Sequence, residues 1–306
     1  MLSEEDVGEA FRKDVLYDAV PATGEDSGVT GTWEQKGGDS LKILLFECRR
    51  ALSERTFRIS LALSTFLVLW DCYLFWFDFG RKGNKILIQA WIGTDYQFAF
   101  NSLFYVILPI LACLPFGGSY FWDRKNGYDK NICVKTSRIR YLSAKMAAVF
   151  FVGFLAVVIP LLLSLFLSAG FYPNWPEERL EHLAVGLQDR QMLFGLYERN
   201  PAWYAIAYTV IDGLIGGLMG LVAVGVSGFC NTMFSAIMSP FLIYIVTGVL
   251  LQGIGGDPDE QLSLMEMANP LQNYTFSALR LAAVYIVVFV IAITVSYLRA
   301  RREDIR

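Results

Sequence analysis

The chain has 306 residues, of which 55% are hydrophobic, and its mean hydropathy is +0.42. A soluble domain of this length is rarely so apolar, and the composition therefore favours a membrane protein. The formal net charge is only −3, so no strongly basic domain suggests nucleic acid, and we expect none as a partner.

Residues 1–40 differ from the rest of the chain in charge. They contain ten acidic and three basic residues, and Gly, Ser and Thr are frequent from Thr23 to Ser40. This composition predicts a mostly disordered acidic tail on the cytoplasmic side. Two roles stay open: a solubilising tail, or a segment that folds onto a partner.

The remainder, 41–306, is predicted to be one transmembrane domain. Leu41–Arg58 has apolar residues at nearly helical spacing and arginines on the other side, which predicts an interfacial helix with its arginines at anionic lipid headgroups. The apolar stretches that follow are about long enough to cross roughly 30 Å of hydrocarbon. The predicted fold is therefore an all-α polytopic membrane protein with six transmembrane helices. The spans are predicted at about 59–79, 97–116, 146–167, 203–226, 229–251 and 279–298.

The segment between predicted spans two and three, Gly117–Lys145, is basic and patterned. It holds seven basic residues against two acidic ones, and loops this basic stay on the cytoplasmic side. Gly127 interrupts it, and Ser137 lies where a helix N-cap would lie. We expect short helices near the membrane surface to which a cytoplasmic partner could bind. The alternative is a solvated loop whose only role is to set the membrane topology.

This sidedness places both termini in the cytoplasm. The patch Arg81–Lys85 then lies outside, which departs from the positive-inside rule, but the basic residues around it outnumber it. The segments 168–201 and 252–277 are acidic, which fits the outside. The second contains an apolar piece that either dips back into the membrane or forms an ordinary outer loop.

Few residues suggest chemistry. The five cysteines show no disulfide framework or metal-binding spacing, and His182 has no ligand constellation, so we expect no metal site. Asp71 and Asp212 lie within predicted spans, where carboxylates are costly; each either lines a polar path or packs helices as a protonated or hydrogen-bonded acid. Four glycines in predicted span four indicate close helix packing, in a bundle or at a dimer seam. They are Gly213, Gly216, Gly217 and Gly220.

Three common ATP-binding and catalytic motifs are missing from the sequence. It has no GxxxxGK[ST] loop, no GxSxG and no HExxH, so we expect no ATP hydrolysis or other enzyme activity by the chain alone.

The order of elements from Leu41 to Arg306 resembles the membrane subunit of an ABC-2 type transporter. That family has an interfacial helix, six spans, a helical cytoplasmic loop between spans two and three, and re-entrant helices between spans five and six. The loop is similar in detail, and so is the preceding LeuProPhe at 114–116. The matching residues are Asp123–Arg124, Gly127, Ser137–Arg138 and Lys145.

The resemblance implies an export permease in a bacterial plasma membrane. Two permease subunits, identical or related, would form the path, and two separate ATPase subunits would carry ATP and Mg²⁺. ATPase closure would push the Gly117–Lys145 loop, with Tyr120, Phe121 and Trp122 as aromatic anchors. Arg124, Arg138 and Arg140 would pair with acidic residues at the rim of the ATPase cleft that receives the loop. The acidic tail is not a feature of the family, and the outer segment after span three is longer than expected for its simplest members.

Two other classes stay open. A non-transporting membrane scaffold or sensor subunit would use the acidic tail and would not be coupled to ATP hydrolysis. An intramembrane enzyme would require Asp71 and Asp212 to meet.

Overall fold

A computed structural model describes residues 31–79, 85–94, 99–133, 136–174, 192–251, 268–270 and 278–304. All regular secondary structure in these ranges is helical. The helices are α1 (Gly31–Ser53), α2 (Arg55–Phe79), α3 (Leu87–Ala90), α4 (Ala99–Cys113), α5 (Ser119–Lys125), α6 (Tyr128–Cys133), α7 (Arg138–Phe171), α8 (Phe194–Arg199), α9 (Pro201–Ser227), α10 (Met233–Leu251) and α11 (Ala278–Asp304).

Four of these helices are long and apolar enough to cross a membrane. They are Arg55–Asp78, Arg138–Phe171, Pro201–Ser227 and Ala278–Arg299. Phe100–Cys113 and Met233–Val249, in predicted spans two and five, form shorter apolar helices. Helix α4 has 15 residues, or about 23 Å, because Leu114–Phe116 form a turn where the prediction continued the span. The structure therefore supports a multi-pass membrane protein, and the six-span arrangement stays a prediction.

Helices α7 and α9 form the centre of the molecule. In the 18-residue apolar stretch of each long helix, the fraction of buried residues is 56% in α7 and 78% in α9. The same fraction is 33% in α2 and 11% in α11. Helix α7 also packs on α1, α2 and α4, whereas α9 packs on α4, α10 and α11. Helix α11 leaves large apolar side chains exposed, such as Ile286 and Val290, as expected of a surface in contact with lipid.

The ends of several helices follow from local sequence. The Ser137 side chain accepts a hydrogen bond from the backbone N–H of Arg140 at 3.4 Å, which confirms the predicted N-cap of α7. Asn200 caps α9 in the same way, 3.0 Å from the N–H of Ala202, and Pro201 occupies the first helical position. Gly127 separates α5 from α6 with a φ of 72°, a left-handed conformation that favours glycine.

The N-terminal boundary differs from the prediction. Helix α1 begins at Gly31 rather than at Leu41, and the predicted continuous helix Leu41–Arg58 is interrupted at Glu54. Arg55 to Arg58 therefore belong to α2. The first thirty residues, the loop patch 80–84, the segment 175–191 with His182, and the predicted re-entrant piece at 252–267 lie outside the described residues.

Candidate functional site

Four charged side chains form a buried cluster where α1, α5 and α7 meet. Glu47, Asp123 and Lys145 are at most 1% exposed, and Arg50 is 19% exposed. We call these four residues the ion cluster. The Lys145 ammonium lies 2.8 Å from Glu47 Oε2 and 2.6 Å from Asp123 Oδ2. The Arg50 guanidinium donates to both carboxylate oxygens of Asp123, at 2.8 and 3.3 Å.

The cluster balances its own charge, with two cations and two carboxylates. Burying a lone charge would be costly, so each ion depends on its partners. Two neighbours add to the cluster: Tyr141 donates a 2.6 Å hydrogen bond to Asp123 Oδ2, and the Lys145 ammonium lies 4.1 Å from the centre of the Phe116 ring. No described residue donates a hydrogen bond to Glu47 Oε1.

The cluster shifts the pKa of two of its members. Burial by itself raises the pKa of the Asp123 carboxyl, but the charges of Lys145 and Arg50 outweigh it, and the pKa is lower than usual. Burial lowers the pKa of Arg50, but Asp123 and then Glu47 raise it above its usual value. Asp123 and Arg50 therefore form a charged, bidentate pair at neutral pH.

The cluster attaches the short helices to the rest of the chain. Helices α5 and α6 together with Ser137 form a surface that we call the platform. Because Asp123 on α5 binds Arg50 of α1 and Lys145 of α7, a displacement of α5 would have to move the other two helices or break charged contacts in a buried site. The platform is thus mechanically coupled to the central helix α7.

The residues predicted to couple the Gly117–Lys145 loop to a partner fall into two groups. Tyr120, Asp123 and Lys145 are buried in the packing between helices, so their side chains are not on the platform surface. Trp122 is 46% exposed, and Phe121, Arg124, Arg138 and Arg140 are partly exposed. An external partner would therefore contact the second group.

Sequence reasoning missed the role of Glu47 and Arg50. It placed Arg50 among arginines at lipid headgroups, whereas the structure directs Arg50 inward to Asp123. One signal was present: Glu47 lies three residues after Leu44 and four before Ala51, on the apolar side of the predicted helix. An acid on an apolar helix face needs a buried cation.

A second buried polar region lies at the other end of α7. Residues 86–94, which we call the buried insert, include α3 and are all buried. They were predicted to belong to an outer loop. The Ile92 N–H donates to Ser164 Oγ at 3.1 Å, Ser168 Oγ donates to the Ala90 carbonyl at 3.0 Å, and the Trp91 indole donates to the Leu161 carbonyl at 3.2 Å.

The insert is also tied to α4. The Asn101 side-chain amide donates to the carbonyls of Ile92 and Gly93, at 2.7 and 2.8 Å. Buried backbone polar groups need hydrogen-bond partners, and the serines and the asparagine supply several of them here. The signal in the sequence was the apolar run Ile86–Ile92, which is unusual for an exposed loop.

The carboxylates in two of the predicted spans are both fully buried, on different helices. Asp71 is on α2 and Asp212 on α9. Tyr105 of α4 donates a 3.1 Å hydrogen bond to Asp212 Oδ2, while no described residue donates to Oδ1. Asp212 thus joins α4 to α9 and keeps one free acceptor oxygen.

The four glycines of α9 face α7 of the same chain. A Cβ at Gly216 would lie 2.7 Å from the Val157 side chain, and one at Gly217 would lie 2.9 Å from the Phe150 carbonyl oxygen. Gly213 and Gly220 also face α7 side chains, at Val158 and Val149. Their absent side chains let the two central helices approach within this chain.

Within the described residues, no three His, Cys, Asp or Glu side chains are grouped as metal ligands. The five cysteines are unpaired with one another. No family model matches the chain, and no curated protein or solved structure matches it.

Proposed function

We propose that this chain is the permease subunit of an ATP-binding cassette transporter of the ABC-2 type. In this proposal the platform faces the cytoplasm and receives a separate ATPase subunit, which binds ATP and Mg²⁺. Two permease subunits, identical or related, form the translocation path, and transport is outward. Both termini are cytoplasmic, in the plasma membrane of a bacterium.

The ion cluster is the observation that carries this proposal. A permease driven by a separate ATPase needs a surface that receives force and a rigid link from it to the membrane helices. Asp123 of the platform contacts Arg50 of α1 and Lys145 of α7. Helix α7 is the second most buried of the four long helices. A surface that only set topology would not require a buried, charge-balanced attachment.

The exposed part of the platform supports the docking role. Trp122 exposes an indole beside the basic residues Arg124 and Lys125, and aromatic and arginine side chains frequently dominate protein–protein binding energy. We propose Trp122 and Phe121 as the anchors. Arg124 of the platform, with Arg138 and Arg140 in the adjoining first turn of α7, forms the rim. Tyr120, Asp123 and Lys145 then hold the platform in shape and do not touch the partner.

Asp71 and Asp212 are proposed to influence the path in the membrane. Asp212 is the stronger candidate, because α9 is the most buried of the four long helices. Its Oδ1 has no described donor. A substrate group or a proton would satisfy that oxygen.

The test is co-purification of the tagged chain from its own cells in mild detergent. Peptide mass spectrometry identifies any partner with a GxxxxGK[ST] motif, and ATP hydrolysis is measured on the eluate. Replacing Trp122 by Ala should reduce both the recovered ATPase and the hydrolysis by about thirtyfold, the effect expected when a binding anchor is lost.

Trp203→Ala is the matched control. Trp203 is 59% exposed at the start of α9, away from the platform, so this variant should retain the partner. Elution without any such ATPase in several detergents would contradict the permease proposal and favour a scaffold or sensor subunit. Equal recovery with Trp122→Ala and wild type would contradict the docking surface.

A further inference from the structure

An open cleft lies where five parts of the chain meet. It is lined by α5, α6, the first residue of α7, the end of α9 with the turn that follows it, and the end of α11, and its volume is about 760 Å³. We call it the basic cleft. Its lining residues are Phe121, Arg124, Lys125, Asp129, Arg138, Ser227, Gly228, Cys230, Asn231 and Arg299.

The lining of the basic cleft is strongly cationic. Four of its residues are Arg124, Lys125, Arg138 and Arg299, and among the described lining residues Asp129 is the one acidic residue. Three arginines around one space suit a ligand with several anionic oxygens, since a guanidinium binds phosphate through two parallel hydrogen bonds. Asn231 adds an exposed amide to the lining, whereas the hydroxyl of the buried Ser227 donates to the Val224 carbonyl.

The cleft also lies where membrane-length helices begin or end. Arg138 is the first residue of α7, and Gly228 directly follows α9. Arg299 is the last residue of the membrane-length part of α11, Ala278–Arg299. Large apolar side chains near it are exposed: Ile139 by 42% and Phe229 by 67%. A ligand with an anionic head and an apolar body would match this combination of a cationic cleft and an adjoining apolar surface.

Arg299 is held in position by the turn between α9 and α10. Its guanidinium carbon lies 4.6 Å from the centre of the Phe229 ring. A Cβ at Gly228 would collide with the Arg299 side chain at Cδ and Nε. Glycine at 228 therefore permits Arg299 to cross the turn and reach the cleft.

We propose that the basic cleft binds the phosphate headgroup of an anionic phospholipid from the adjacent leaflet. The phosphate lies among Arg124, Arg138 and Arg299, and the acyl chains follow the exposed apolar surface beside Ile139 and Phe229. This site joins the end of α11 to the platform. It does not depend on the chain being a permease, although it shares Arg124 and Arg138 with the proposed rim of the docking surface.

The test uses the purified full chain and native mass spectrometry. Phosphatidylglycerol and phosphatidylcholine with identical acyl chains are titrated against the protein in a non-ionic detergent. Phosphatidylglycerol should bind the wild type at least about tenfold more tightly, as expected for charge-assisted hydrogen bonds. Arg299→Gln and Lys125→Gln should each weaken that preference, with the larger loss for Arg299→Gln, and Arg299→Lys should lie between.

Two further variants separate geometry from charge. Gly228→Ala keeps every charge but displaces Arg299, so the preference for phosphatidylglycerol should fall. Arg280→Gln removes an exposed cation near the other end of α11, outside the cleft lining, and should leave the preference unchanged.

Three results would overturn the proposal. One is equal binding of the two lipids by the wild type. Another is a loss in Arg280→Gln as large as that in Arg299→Gln, which would show only a general effect of surface charge. The third is displacement of phosphatidylglycerol by millimolar inorganic phosphate, which would identify a soluble phosphate compound as the ligand.

Discussion

The two ends of α7 bury polar groups in different ways. At one end Lys145 contacts Glu47 and Asp123, so full charges are brought together from three helices. Nineteen residues further along, about 29 Å away at the helical rise, Ser164 binds the backbone of the buried insert through a neutral hydrogen bond. The first end joins side chains on regular helices, and the second satisfies a backbone that is not helical.

The two attachments should therefore differ in the free energy needed to break them. Separating the ion cluster leaves an uncompensated charge in a buried site, whereas removing a serine hydroxyl leaves one unsatisfied N–H. The platform end should therefore be the stiffer of the two. The insert end should open at a lower cost, which suits a region that rearranges.

The largest effect should come from replacing Lys145 by Met. Glu47 and Asp123 would then share only Arg50, and breaking a buried ion pair in this way costs about 3–5 kcal/mol. Equilibrium unfolding in mixed detergent micelles measures the free energy of unfolding. Lys42→Met, an exposed cation on α1, is the control and should change it little.

A second variant sharpens this test. Adding Glu47→Gln to Lys145→Met restores the balance of charge, so the double variant should lose less free energy than the sum of the two single variants. If the two losses simply add, the cluster is not a coupled unit.

The next effect concerns pH and Asp123. Its pKa is lowered in the folded chain, so it stabilises the fold fully above the unfolded pKa of about 3.9 and loses this effect as the pH falls through the folded value. The free-energy difference between wild type and Asp123→Asn should be constant from about pH 5 to 8 and shrink below about pH 4. A difference that already shrinks at pH 6 would contradict a lowered pKa.

The smallest effect should come from Ser164→Ala at the insert end. It leaves the Ile92 N–H without its acceptor, at a cost of about 1–3 kcal/mol. Ser143→Ala is matched on the same helix, because the Ser143 hydroxyl is exposed and binds only the carbonyl of Arg140. A cost for Ser164→Ala that equals or exceeds that of Lys145→Met would reverse the ranking of the two ends.

Local sequence was sufficient for the features that depend on nearby residues. Apolar runs predicted the long helices, because only a helix satisfies its backbone hydrogen bonds within one membrane segment. Ser137 was identified as an N-cap, and the basic loop was expected to hold short helices, since capping and glycine signals act over three or four residues. The boundaries were less accurate: α1 begins earlier than predicted and is interrupted at Glu54, and α4 ends at Cys113.

The sequence by itself therefore determined a chain rich in apolar helices with a patterned basic loop. Only the tertiary structure decided which polar groups meet. Glu47 and Lys145 are 98 positions apart, and Ile92 and Ser164 are 72 positions apart. No local periodicity encodes such pairs, because they depend on how α1, α5 and the buried insert pack against α7. The same packing assembles the basic cleft from Arg124, Arg138 and Arg299, which the sequence distributes over three segments.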